Sequence, residues 1–128
     1  MRAFHGDPAI KEKYLARVRA HRAADELVRG TGWSEKGGRV RACAVGCTLD
    51  KYDHASYETE LGIPIRLAFL EDRIFERLPT EDDWKPWPEA FLDAIPVGAD
   101  LRAVWAKFSV WKLTEAIEPA DLGKDQAE

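Results

Sequence analysis

The chain has 128 residues, 45% of them hydrophobic and 33% charged, with a formal net charge of −4 and two cysteines. That length suits one domain, and five tryptophans among so many apolar residues exclude a disordered chain. No run reaches the ~18 apolar residues of a membrane span and no secretory leader is visible, so a cytoplasmic protein with reduced thiols is the expectation.

The charge is split along the chain. Residues 1–51 carry 11 Lys and Arg against 6 Asp and Glu, and residues 52–128 carry 8 against 17. A basic first half can face nucleic acid or an acidic partner. It can equally pair with the acidic half within the fold or across a homodimer.

In chain order, the first element is a helix. Asp7 can cap it, Pro8 sits at its first position, and Gly30 is the expected stop. Ile10, Tyr14, Val18, His21, Ala24 and Val28 recur at steps of three and four, which predicts one buried stripe. Lys11, Lys13, Arg17 and Arg22 lie opposite and make the helix amphipathic and basic. Four glycines between Gly30 and Gly38 predict a turned loop, with Trp33 pinned into the core. Residues 40–45 are either a short strand or a short buried helix, since so few residues carry no period.

Asp53 as a cap and Gly62 as a stop bound a short helix. A longer one starts at Pro64 and ends before Pro79. Its apolar positions, including Leu67, Phe69, Leu70, Ile74 and Phe75, predict a largely buried helix. Glu71, Asp72 and Glu76 are placed on its exposed side. Those carboxylates would repel phosphate, so this segment is a poor major-groove reader. Thr80 can cap the next helix, whose regular part is expected after Pro88 and before Pro96. Trp84 and Trp87, set among prolines, are either core or an exposed aromatic anchor. Asp100 then caps a last helix with a stripe at Leu101, Val104, Trp105, Phe108 and Trp111. The sum is an all-α, single compact domain of about five helices with a Gly-rich loop after the first, over residues 1–118. A polar, mobile tail is expected at 119–128.

Candidate chemistry concentrates in "RACAVGCTLDKYDHASYE", Arg41 to Glu58. Cys43 and Cys47 are four apart, which places both sulfurs on one helical face. With His54, and His5 or His21 as a fourth ligand, they make a tetrahedral zinc set, although the spacing is not that of a zinc finger. A second reading makes Cys47 a nucleophile, His54 its base and Glu58 the group that orients the base. The plain reading is that both cysteines are small buried hydrophobes and need no cofactor. Phosphate-loop, dinucleotide and nucleophile-elbow signatures are absent. Gly37 and Gly38 before Arg39 and Arg41 offer a weak anion site.

The run "CAVGCTLDKYDHASYETELGIPIRLAFLEDRIFERLP", with "WPEAFLDAIPVGADL" after it, resembles a family of small bacterial and phage proteins of unknown function. The features that carry it are Cys43, Cys47, His54, Tyr57, Glu58, Leu61 to Pro64, and Leu78 with Pro79. The likeness spans about residues 4–111. Arg77 departs from it, where a small residue is the pattern, and so does a shorter tail. The resemblance implies a cytosolic protein of bacteria or phage, and transfers no catalytic residue. The leading expectation is a non-enzymatic helical protein that binds a nucleic acid or protein partner. The binding surface is expected at Lys11, Lys13, Arg17, Arg22, Arg39 and Arg41.

Overall fold

The structure, a computed structural model, describes residues 1–114; the expected boundary at 118 and the tail at 119–128 lie outside that range. The chain opens in a tight turn, Ala3–Gly6, where Phe4 (φ 54°) and His5 (φ 52°) take left-handed backbone. That costs about 1–2 kcal/mol per residue. Full burial of the Phe4 ring offsets it, as does a 2.8 Å bond from His5 Nε2 to the Thr59 carbonyl.

Helix α1 spans Pro8–Ala23, with the Asp7 side chain accepting from the Ala9 N–H at 2.9 Å. It stops before Gly30. Asp25 turns left-handed at φ 59°, and the chain then runs beside a strand, with the Val28 N–H donating to the Ala42 carbonyl at 2.9 Å. The buried face is Tyr14, Leu15 and Val18. His21 belongs elsewhere, because its two nitrogens face the carboxylates of Glu26 (2.7 Å) and Asp50 (2.6 Å).

The glycine-rich segment is a β-hairpin, so the protein is mostly helical and not all-α. Strand β1 (Trp33–Lys36) pairs antiparallel with β2 (Arg39–Ala42). Gly37 and Gly38 form the two-residue turn, at φ 60° and 75°. Two positive φ values match the twist of the flanking strands, and a Gly-Gly pair reaches them without a Cβ clash. Each strand has four residues, too few for an alternating pattern to declare itself.

Helix α2 (Ala44–Leu49) follows at once and is buried along its whole length. It lies between α1 and the later α3 (Ile65–Arg77). Gly46 permits this, because a Cβ there would overlap the Gly32 carbonyl oxygen. A π-helical turn, Tyr57–Leu61, ends at Gly62 in left-handed conformation. Helix α4 is a single turn, Glu81–Trp84, where the Thr80 hydroxyl donates to Asp83 at 2.7 Å. Helix α5 (Trp87–Ala94) starts one residue before Pro88 and packs on α1. Residues 104–114 are helical again.

The core lies among α1, α2, α3 and α5, with Leu15, Tyr57, Leu61, Phe75 and Leu92 fully inside. Each such large apolar side chain contributes roughly 1.5–3 kcal/mol. Trp84 and Trp87 pack against this core: Trp84 stands edge-on to Phe75 at 5.5 Å, and Trp87 Nε1 donates to the Glu71 carbonyl at 3.0 Å. Helix α3 is the element the pattern misjudged. It buries Leu67, Ala68, Glu71 and Phe75. Phe69 is 51% exposed, and Leu70 and Ile74 are half-buried.

Candidate functional site

Both features with functional character lie on α3, one on each side. The inner one is a polar cluster between α2, the π-turn and α3. Glu71 is fully buried. Its Oε1 accepts from the Tyr57 hydroxyl at 2.6 Å, while Oε2 has no partner among the described residues. Burial pushes its carboxyl up to about 8, and the neighbouring Asp72 adds to the rise against the opposing Tyr57 bond. Tyr57 is raised well above its ordinary value by the same burial. Burial thus favours the protonated acid at Glu71 beside the Tyr57 phenol.

Asp72, next in sequence, points to the rim. Its Oδ2 accepts from the Tyr52 hydroxyl (3.0 Å) and from His54 Nε2 (3.1 Å). Its Oδ1 is buried with no hydrogen-bond partner among the described residues, and the Cys43 thiol faces the carboxylate. The His54 ring is stacked on Phe69, with centroids 4.1 Å apart.

The thiols are shaped for packing. Burial pushes Cys43 up to about 12, with Asp72 adding to the rise, and burial raises Cys47 as well. Cys47 Sγ donates to the Ala42 carbonyl at 3.5 Å. A nucleophilic cysteine needs the opposite environment, exposed and electropositive. Cys47, His54 and Glu58 do not converge: His54 bonds to Asp72, and Glu58 Oε2 accepts from the Ile65 N–H at 2.9 Å at the start of α3. The carboxylate beside His54 is Asp72, which sequence reasoning had set on the exposed face. A carboxylate pair inside a strongly apolar helix was the available signal.

The zinc set is not brought together either. His5 is bonded to the Thr59 carbonyl, His54 to Asp72 and His21 to two carboxylates. Among the described residues, no three or more His, Cys, Asp and Glu side chains are grouped to hold a metal ion.

The basic face of α1 is largely engaged inside the fold. Lys11 Nζ donates to the carbonyls of Asp93 and Ile95, both at 2.8 Å, and so closes the end of α5. Arg17 bonds to the Thr48 carbonyl (3.1 Å) and pairs with Asp50 (3.4 Å). Arg22 lies 3.9 Å from Glu89, and Lys13 sits over the Tyr14 ring. Arg39 and Arg41 stand exposed on β2.

The outer feature is an apolar groove of about 330 Å³ between α3 and the helix at 104–114. Leu70, Ile74 and Leu78 form one wall and Trp105 and Phe108 the other. Phe69 lies at one end, beside Leu70 and Trp105. Trp111, 51% exposed, continues the aromatic row of Trp105 and Phe108. Contiguous exposed apolar surface of this kind marks interaction sites in soluble proteins. Among the described residues no helix is long and apolar enough to cross a membrane. No family model, curated protein or solved structure matches this chain.

Proposed function

We propose that this chain is a non-enzymatic interaction module that binds a protein partner through the groove between α3 and the helix at 104–114. One observation carries the reading: among the described residues a concave apolar surface stays open, while Glu71, Cys43 and Cys47 are buried. Aromatic side chains such as Phe69 and Trp105 are the residue types that dominate binding energy at protein interfaces. The basic face of α1 is the rival surface. Arg39 and Arg41 favour it, and the internal bonds of Lys11, Arg17 and Arg22 count against it.

A photo-activatable residue in place of Arg77, which lines the groove, tests this against one in place of Arg41. The reading expects a discrete protein adduct from position 77. The identified partner, made separately, should rebind the purified chain and lose at least tenfold in affinity to Leu70→Asp, about 1.4 kcal/mol. It should lose little to Arg17→Glu with Arg22→Glu. Nucleic-acid adducts at position 41 with none at position 77 would overturn the proposal, as would binding indifferent to Leu70→Asp.

A further inference from the structure

We infer that the groove takes an acidic amphipathic helix, an inference that rests on the groove being the binding surface. The shape argues first. Both walls are helical, so a third helix can lay an apolar stripe along the seam as helix-in-groove ligands do. Leu70 and Ile74 are four apart on α3, and Leu78, the extended residue that ends it, follows four further on. At about 1.5 Å rise per residue they span about 12 Å, which matches two to three turns of a docked helix. Such a ligand presents anchors at positions i, i+4 and i+7.

Charge then selects the ligand. Arg73 and Arg77 line the same groove, lie one turn apart and are exposed. No ion pair between described residues involves either of them. The opposite wall, residues 104–114, contains Lys107 and Lys112 and no acidic residue. Arg73 and Arg77 thus give an apolar groove a cationic edge along α3, in a chain of net charge −4. Glu or Asp flanking the apolar stripe of a ligand would meet these cations. Complementary charge of this kind sets partner choice and association rate.

Two other occupants fit less well. A bilayer surface asks for a helix that lays an apolar face into the headgroup region, whereas this surface is concave. Single-stranded nucleic acid asks for stacking platforms along its path, and the wall formed by Leu70, Arg73, Ile74, Arg77 and Leu78 has no aromatic ring.

The test uses the full chain and three labelled synthetic peptides read by fluorescence anisotropy. The first carries Leu at i, i+4 and i+7 with Glu on the flanking positions. The second has Lys for every Glu, and the third has the first peptide's composition with its leucines scattered around the helix. The first peptide should bind at least tenfold more tightly than the second and should beat the third. Its advantage over the second should shrink as salt rises towards 0.5 M, because exposed charges are screened. Arg73→Glu with Arg77→Glu should reverse the preference. If that variant loses its helical circular dichroism, Arg73→Gln with Arg77→Gln should abolish the preference instead. Equal binding of the Glu and Lys peptides overturns the acidic ligand and leaves the groove standing. Binding of neither, or of the scattered peptide as well as the first, overturns the groove itself. Binding to vesicles containing phosphatidylserine, without binding to the Glu peptide, assigns the surface to a membrane and overturns both.

Discussion

The two faces of α3 each depart from the usual arrangement of a soluble helix, a carboxyl buried among Leu67, Ala68 and Phe75 and an apolar row exposed beside Arg73 and Arg77. Inside, Glu71 is buried against Tyr57, and Asp72 gathers Tyr52 and His54. Outside, Phe69, Leu70 and Ile74 meet solvent across a groove. Position along the helix does not explain this, since the residues are interleaved. The inner carboxyl is tolerated because burial keeps it protonated and the Tyr57 hydroxyl occupies one oxygen. The outer apolar residues are covered only in part by the described chain, Phe69 by the His54 ring and Leu70 by the edge of the core. The difference teaches that a buried polar group can be a packing solution, while an exposed apolar row remains unexplained until a ligand covers it.

The largest expected effect tests the inner face. Glu71 has its folded value raised from 4.5 to about 8. The folded state therefore holds this proton more tightly than the unfolded chain. The stability it contributes is full below 4.5 and is lost as pH rises to about 8. Wild type should weaken against Glu71→Gln across that window by on the order of 4 kcal/mol, each pH unit well inside it costing roughly 1.4 kcal/mol. Urea denaturation of both proteins at pH 5 and pH 8 measures it. A difference that does not change with pH would mean Glu71 is ionised inside the fold.

Next in size is thiol protection. Alkylation of Cys43 and Cys47 by iodoacetamide at pH 8 should run at least about a hundredfold slower in the native protein than in urea, because only the buried thiol form is present. Fast native labelling of Cys47 would return it to candidacy as a nucleophile. Gly46→Ala comes third. The new Cβ meets the Gly32 carbonyl, so overpacking should cost about 2 kcal/mol or more, read from the denaturation midpoint. An unchanged midpoint would show that α2 is not seated by that backbone contact. The smallest effect sharpens the outer face. Leu70→Gln should change stability by less than about 1 kcal/mol, because the side chain is only half-buried. A much larger loss would make Leu70 part of the core and weaken the case for a binding groove.

Much of the frame was legible in the chain. Asp7 with Pro8, Asp53 with Gly62, and Pro64 with Pro79 mark helix ends through backbone chemistry that each residue carries by itself. The hairpin was not legible, because Gly-Gly permits a loop as readily as a tight turn and four-residue strands show no period. The candidate site was legible only in part. His54 was singled out, but with Glu58 as its partner rather than Asp72.

The sequence by itself determined the start of α1 at Asp7 and Pro8, the bounds of α3 between Pro64 and Pro79, that there is enough apolar material for a core, and that no helix among the described residues is long and apolar enough to cross a membrane. Only the tertiary structure decided which side of α3 faces in, that Cys43 and Cys47 are sealed, and that the cations of α1 bond to the carbonyls and carboxylates around them. The physical reason is reach. Capping and turn chemistry act within a few residues of the chain, whereas Lys11 to Ile95 and Arg17 to Thr48 are contacts between distant segments. Such contacts exist only once α1, α2 and α5 have packed.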